Sequence, residues 1–215
     1  MTKIKQIPVG IDDFKEIIER DTYFIDKTLF IKRIIKNASK VILLTRPRRF
    51  GKTLNFSMLK CFLELPECRK MEDEAQDYKY LFKGFDIYDE KELIDNHLGK
   101  YPVINLSFKK VKAEKWEYAK RAFKEEIANE YIRHRYLLDG DKLLDFQKNN
   151  YKKIMSQQAE VFTYTSAIAD LSKFLKDYHG KEVIVLIDEY DTPLHYAKLN
   201  DYHKEMLEIG RASCR

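Results

Sequence analysis

Hydrophobic residues recur along this chain in two patterns, which predict where its helices and strands lie. Spacings of three to four residues indicate amphipathic helices, whereas short continuous apolar runs indicate strands buried on both faces. The predicted helices cover residues 12–20, 29–37, 53–65, 113–135, 142–153, 166–178 and 192–208. The predicted strands cover residues 41–45, 102–108 and 183–187. This alternation indicates an α/β fold, with a mostly parallel sheet flanked by helices.

Local signals support several of these boundaries. Asp12 or Asp13 would cap the first helix, and Gly180 would end the helix before the last strand. Residues 81–85 form a predicted turn that carries two aromatic anchors. Because no internal repeat or low-complexity linker interrupts the pattern, we expect one domain over residues 1–208.

The segment from Val41 to Thr53, VILLTRPRRFGKT, joins a predicted strand to a predicted helix through a basic loop. A strand, a loop ending in Gly51-Lys52-Thr53 and a helix form the context in which a phosphate-binding loop works. N–H groups at a helix start attract an anion, and the helix dipole adds to this attraction. Lys52 would reach the outer phosphates of a nucleotide, and the Thr53 hydroxyl would bind Mg²⁺.

This loop departs from the usual phosphate-binding loop at its first position, where Arg46 stands in place of a glycine. Arginine adopts positive φ less readily than glycine. Pro47 compensates in part, because the residue before a proline favours extended backbone. The alternative interpretation is a solvated, arginine-rich surface turn. A second motif has to decide between the two.

The strand from Val183 to Ile187 supplies that motif, because it ends in Asp188 and Glu189. Ligands of open α/β sheets bind at the carboxyl ends of the strands. In a nucleotide hydrolase Asp188 would hold the Mg²⁺ shell, and Glu189 would polarise the attacking water. The alternative is an acidic loop after a core strand. Taken with the phosphate loop, the acidic strand makes nucleoside triphosphate binding the leading hypothesis.

Composition narrows the class of protein. The chain is 44% hydrophobic and 35% charged, and its formal net charge is +5. It has no apolar run long enough to span a membrane and starts with polar residues, so we expect a cytoplasmic protein without membrane contact. The charge gives only weak support for nucleic-acid binding, because the densest basic cluster is the phosphate loop itself. Cys61 lies at helical spacing with Met58 and Leu65, which indicates a core position, and neither cysteines nor histidines have zinc-ligand spacing.

Five segments together resemble the AAA-ATPase-like domain family. They are P-x-G-x-x-x-F at residues 8–14, YFIDKT at 23–28, RPRRFGKT at 46–53, YPVINLSF at 101–108 and VLIDEYDTP at 185–193. The resemblance extends from about Pro8 to about Tyr202. In that family RPRRFGKT is the usual form of the loop, so Arg46 does not indicate a decayed site.

The resemblance implies a P-loop NTPase that binds ATP and Mg²⁺. Lys52 and Glu189 are then the catalytic candidates, and Thr53 and Asp188 are the candidate metal ligands from the Walker A and Walker B motifs. The residues expected to contact the nucleotide are Arg46, Pro47, Arg48, Arg49, Phe50, Gly51, Lys52, Thr53 and Leu54. Tyr23, Asp26 and Lys27 are further candidates for nucleotide contacts, and the alternative for them is a buried tyrosine and a capping aspartate.

The C-terminal end carries its own expectation. Residues 209–215 match the in-frame translation of a common sequencing adapter, so we expect an artefact there and a truncated chain. Related ATPases insert a further strand between the acidic strand and the phosphate-loop strand, and nothing after Pro193 resembles it. We therefore expect a sheet with a gap and unsatisfied edge groups, and an isolated chain that is unstable and hydrolyses nucleotide weakly. Family members typically continue into a PD-(D/E)XK nuclease-like domain, of which this chain shows no trace.

Three functions are compatible with the sequence. The first is an ATPase that acts as the motor or switch of an appended domain. The second is a helicase acting on nucleic acid, since residues 188–191 fit Asp-Glu-x-Asp, although the Ser-Ala-Thr-like triplet at residues 165–167 precedes that segment. The third is a non-catalytic interaction module that retains the fold. A guanine-reading Asn-Lys-x-Asp motif is missing, which favours ATP over GTP, and the sequence leaves a homo-oligomer open.

Overall fold

The chain folds into two compact units, Met1–Tyr101 and Pro102–Arg215. The computed structural model describes residues 5–45, 47, 50–69 and 77–213. The boundary between the units falls immediately before the first strand.

Helices dominate the described part of the first unit. They are α1 (Phe14–Glu19), α2 (Leu29–Ile35), α3 (Lys52–Leu63) and α4 (Lys91–His97). Helices α1, α2 and α3 confirm the sequence predictions, whereas α4 lies in a stretch that the hydrophobic pattern left unassigned. Short 3₁₀ turns cover Pro66–Arg69, Tyr78–Phe82 and Asp86–Asp89.

Asp13 caps α1 and also ties it to α3. One of its carboxylate oxygens accepts the N–H of Glu16 at 2.9 Å, and the other accepts the hydroxyl of Ser57 at 2.8 Å. The Ser57 oxygen in turn accepts the N–H of Phe14 at 2.9 Å. Two N–H groups at the start of α1 therefore have acceptors, and α3 is held against α1.

An aromatic cluster forms the centre of the first unit. It consists of Phe14, Phe24, Phe62, Phe82 and Phe85, and the centroids of the contacting rings lie 5.2–6.4 Å apart. The predicted turn supplies two of these rings, Phe82 and Phe85, and Gly84 between them has a φ of +85°. Such ring pairs add to the hydrophobic gain from burial. The prediction of a turn with two aromatic anchors is confirmed.

The predicted strand before the phosphate loop is wrong. No strand is assigned to residues 41–45, and Val41 and Leu43 are 85% and 61% exposed. A strand exists through hydrogen bonds to a neighbouring strand. Five apolar or β-branched residues favour extended backbone but do not specify that neighbour, and pairing decides whether such a run becomes a buried strand.

The second unit combines a small parallel sheet with helices, so the α/β class is confirmed. Its elements are β1 (Val103–Ser107), α5 (Trp116–Arg133), α6 (Asp145–Met155), α7 (Val161–His179), β2 (Ile184–Asp188), α8 (Thr192–Leu199) and α9 (His203–Ser213). Both strands and all these helices were predicted, except that the last predicted helix is two helices. Within the described residues the sheet has two strands, and Ser107 lies opposite Asp188 in its register.

The apolar stripe of α5 packs into the core of this unit. Ala119, Phe123, Ile127 and Tyr131 are buried there, as the helical spacing predicts. The Tyr131 hydroxyl donates to the carbonyl of Ala167 at 2.8 Å, so the buried polar atom has a partner. Burial raises the pKa of Tyr131 far above its ordinary value, and the group stays neutral.

Carboxylates of α5 close the edge of β1 that faces away from β2. The N–H of Asn105 donates to Glu130 at 2.8 Å, and the N–H of Ser107 donates to Glu126 at 2.7 Å. Four helical residues advance about 6 Å, and two strand residues advance about 6.6 Å. The two spacings match, so consecutive turns of one helix serve alternate residues of the strand. The gap expected from the sequence concerns the other edge of the sheet, beside β2, and it stays a prediction.

Arg133 completes this edge. Its guanidinium donates to the carbonyl of Val103 and to both carboxylate oxygens of Glu130, with Nε 3.0 Å from Oε2. Burial alone would raise the pKa of Glu130, but the charge of Arg133 and the hydrogen bonds from His134 and Arg133 outweigh burial and lower it to about 2. Glu130 is therefore a charged, paired group inside the protein.

Acid should weaken the second unit through Glu130. A carboxyl group whose pKa falls from 4.5 to about 2 on folding contributes stability above pH 4.5. That stability is lost as the pH falls from 4.5 towards 2, by a total on the order of 3 kcal/mol. Burial raises the pKa of Glu126, so this carboxyl group lowers the free energy of unfolding as the pH rises above 4.5. Urea unfolding between pH 2 and 7 measures both windows.

The matched variant for this prediction is Glu130→Gln, which keeps an acceptor oxygen but cannot titrate. Its free energy of unfolding should be lower than that of the wild type at neutral pH and should change less below pH 4.5. Parallel pH curves for the two proteins would show that Glu130 is not the group responsible.

Candidate functional site

The phosphate loop enters α3 through Gly51. This residue has a φ of +72° and stands at the N-cap position, so α3 begins at Lys52. Glycine adopts that backbone conformation without the steric cost that a Cβ atom brings. The helix start is thus placed directly after the loop, as the Gly-Lys-Thr motif predicts.

Asn55 holds the turn at the start of α3. Its backbone N–H and its side-chain Nδ2 both donate to the carbonyl of Gly51, at 3.0 and 2.8 Å. The N–H groups of a helix's first turn have no acceptor within the helix and point out of its end. Lys52, Thr53 and Leu54 are half-buried at this end. A helix start attracts anions in general, and the role predicted for this one stays a prediction.

The remaining predicted nucleotide contacts lie in the loop before Gly51. Pro47 is exposed, and the Phe50 side chain is 56% exposed, so neither is held in a core. Arg46, Arg48 and Arg49 lie outside the described residues. The roles predicted for these loop residues stay predictions.

The acidic end of β2 forms the second half of the predicted site. Asp188 is buried at the last position of the strand. Glu189 follows in the left-handed backbone region, with a φ of +52°. The N–H of Glu189 donates to Oδ1 of Asp188 at 3.0 Å. The two carboxylates therefore follow one another in a tight, internally bonded turn at the carboxyl end of the strand.

Thr192 contacts this turn from the start of α8. Its hydroxyl donates to Oε2 of Glu189 at 3.0 Å, and its N–H donates to the carbonyl of Glu189 at 3.1 Å. Asp191 stands at the N-cap position of α8 without a side-chain capping bond. Sequence reasoning missed Thr192. A hydroxyl residue three positions after a carboxylate, beside a helix start, was the available signal.

The two halves belong to different units. Lys52 and Thr53 come together at the start of α3 in the first unit, and Asp188 and Glu189 come together at the end of β2 in the second. Their joint action on one nucleotide stays a prediction.

Asp26, a further candidate for a nucleotide contact, binds backbone N–H groups instead. Asp26 accepts the N–H groups of Thr28 and Asp86, one on each oxygen and both at 2.8 Å. Thr28 is buried and accepts the N–H of Ile87 at 3.1 Å. Asp26 therefore has a structural role, although the N-cap of α2 is Thr28 and this helix has no side-chain capping bond. Tyr23 is 56% exposed, so the buried tyrosine of the alternative interpretation is wrong.

Other reactive side chains are not arranged as a site. Among the described residues no group of three or more histidines, cysteines or acids could hold a metal ion. Burial, followed by the charge of Asp13, raises the pKa of Cys61 to about 12, so its thiol is unreactive and packs as a core residue. No described helix combines the length and apolarity needed to cross a bilayer.

Comparison with known proteins assigns the family. Residues 8–212 match a family described as "Predicted AAA-ATPase". The chain belongs to the AAA-ATPase-like family. The resemblance of the five sequence segments is thereby confirmed, and the description of the family suggests ATPase function.

A curated relative comes from Azotobacter chroococcum mcd 1, where it is named "Uncharacterized protein in vnfD 5'region". It is 27% identical over 194 residues, which is 88% of this chain and 30% of the relative. The chain therefore spans about a third of the length of that relative. No solved structure gives a significant match.

Proposed function

We propose that this AAA-ATPase-like chain binds ATP with Mg²⁺ and hydrolyses it, as the motor or switch module of a larger protein. The observation that carries the proposal is the start of α3, where Gly51 turns the chain so that Lys52 and Thr53 open the helix. An anion at this end would meet N–H groups, the positive end of the helix dipole and a lysine.

The acidic end of β2 supplies acids of two kinds. Asp188 is buried and bonded to the neighbouring N–H, whereas Glu189 is half-buried. A half-buried carboxylate is able to reach water, so Glu189 is the better general base of the two. Glu189 would take a proton from the attacking water, and Lys52 would balance charge on the outer phosphates.

The predicted ligands are of the chemical type that Mg²⁺ prefers. Mg²⁺ prefers oxygen ligands, and proteins commonly supply only one or two of them while phosphates and waters complete the shell. The Thr53 hydroxyl and the Asp188 carboxylate are ligands of this type. Bound Mg²⁺ would neutralise negative charge on the phosphates during phosphoryl transfer.

The partners of the chain, including an appended domain, are also proposed. The relative from Azotobacter chroococcum mcd 1 is longer than this chain. Its length is compatible with the proposal of an appended domain in the intact protein. A nuclease-like domain is the candidate that the family resemblance names. Nucleic acid, a neighbouring copy of the chain and a cytoplasmic location stay proposals too.

Replacing Lys52 tests nucleotide binding. In Lys52→Ala the affinity for Mg·ATP should fall by about 10- to 100-fold, because a charged hydrogen bond to phosphate contributes about 1.5–3 kcal/mol. Isothermal titration calorimetry on the full-length protein measures this affinity. GTP serves as a competitor, which tests whether the site prefers adenine or guanine nucleotides. Lys60→Ala removes the same charge from the same helix and should bind like the wild type. Equal affinities for all three proteins would refute the phosphate-loop assignment.

A further inference from the structure

The backbone at Glu189 is held in an uncommon conformation. A φ of +52° costs a residue with a Cβ atom some conformational energy. Asp21, Gln157 and Asp201 also have positive φ, and each of them lies in a turn after a helix. Among the described non-glycine residues, Glu189 alone takes this conformation directly after a strand.

Three hydrogen bonds fix the residue in that conformation. The N–H of Glu189 is bound by Asp188 at 3.0 Å. Its carbonyl accepts the N–H of Thr192 at 3.1 Å, and its side chain accepts the Thr192 hydroxyl at 3.0 Å. Thr192 therefore acts on both the backbone and the carboxylate of one residue, so their relative orientation is set.

Thr192 is itself rigidly placed. Its side chain is 8% exposed, and it is the first residue of α8, followed by Pro193. A β-branched side chain has few rotamers, and burial restricts that of Thr192 further. A donor fixed in this way directs its hydrogen bond to one place.

We propose that Thr192 is a positioning residue for the catalytic carboxylate of Glu189. The inference rests on the proposed function. The Thr192 hydroxyl holds Oε2, which leaves the second carboxylate oxygen, Oε1, to accept the proton of the attacking water. Without the hydroxyl the carboxylate rotates more freely, and fewer bound complexes have the geometry needed for reaction.

The test compares Thr192→Val with Thr192→Ser in the full-length protein. Valine keeps the shape of threonine but removes the hydroxyl, whereas serine keeps the hydroxyl. We expect kcat for ATP hydrolysis to fall by about 10- to 100-fold in Thr192→Val with KM unchanged, since small misplacements of reacting groups have effects of this size. Thr192→Ser should recover most of the loss.

Thr165→Val is the matched control. Thr165 is 9% exposed, and its hydroxyl donates to the carbonyl of Phe162 in α7. This control should keep the wild-type kcat. An equal loss of kcat in Thr165→Val and Thr192→Val would mean that any buried hydroxyl matters, which overturns positioning.

Two further outcomes separate this inference from the proposed function. If Glu189→Gln abolishes hydrolysis while Thr192→Val retains the wild-type kcat, the base stands and the positioning role is refuted. If Thr192→Ser is as slow as Thr192→Val, the hydroxyl is not the active group. A fully active Glu189→Gln would remove the base, and the positioning role with it.

Discussion

Glu189→Gln should lower kcat for ATP hydrolysis by about 10²- to 10⁴-fold, the usual contribution of a general base. Glutamine keeps the size of the side chain and can still accept the Thr192 hydroxyl on its carbonyl oxygen. It cannot take up a proton from water at neutral pH. The affinity for Mg·ATP should stay within a few-fold of the wild type, because the residue acts on water rather than on phosphate.

Single-turnover hydrolysis and nucleotide titration of the full-length protein measure the two quantities separately. Glu182→Gln is the control, since Glu182 is exposed, lies just before the same strand and pairs with Lys176. It should retain wild-type binding and hydrolysis. Unchanged hydrolysis in Glu189→Gln, with ATP still bound, would refute the base assignment and favour a non-catalytic module or another base.

Arg133→Met should destabilise the protein by about 3–5 kcal/mol, the range measured when one partner of a buried ion pair is removed. Arg133 and Glu130 are both buried and bonded to each other. Removing the guanidinium leaves a buried carboxylate without its main partner and the carbonyl of Val103 without the donor from Arg133. Methionine keeps most of the apolar volume, so the loss is chiefly electrostatic.

Urea unfolding at neutral pH gives the free energy for this comparison. Arg121→Met is the control, because Arg121 is exposed on the same helix, and it should change stability by less than about 0.5 kcal/mol. Equal losses from the two variants would show that the closed edge of β1 contributes little to stability. Because β1 lies beside β2, a weakened edge should also raise the amplitude of motion at Asp188.

Helices with a clear apolar stripe were the most predictable elements. The buried residues of α5 recur at helical spacing, and a single amphipathic face identifies both the helix and its core side. The ends of α1 and α7 were also readable, since Asp13 caps one and Gly180, with a φ of +63°, ends the other. Local chemistry decides such boundaries, so local sequence suffices.

Strand pairing was only partly predictable. The runs at residues 102–108 and 183–187 became β1 and β2, and a run of the same character at residues 41–45 did not become a strand. The three runs have similar local preferences and differ in whether another strand pairs with them. Pairing is a long-range property, so one segment alone does not contain it.

The candidate site was also only partly predictable from the sequence. Gly51-Lys52-Thr53 and Asp188-Glu189 were identified from their residue types and their places after a loop and a strand. Thr192 was missed, because its role depends on a turn that folds its hydroxyl back onto Glu189. The structural role of Asp26 was decided only by the structure, which shows both of its oxygens occupied by backbone N–H groups.

By itself, the sequence determined the family, the α/β class, the positions of most helices and the two motifs of the candidate site. The helix positions follow from short-range periodicity. The family and the motifs follow from the order of residue types in the two motifs, which few other functions require. Only the tertiary structure decided that residues 41–45 form no strand, that α5 closes the edge of β1 and that Thr192 holds Glu189. Each of these depends on atoms from separate segments meeting at hydrogen-bond distance, and that meeting is a property of the packed chain.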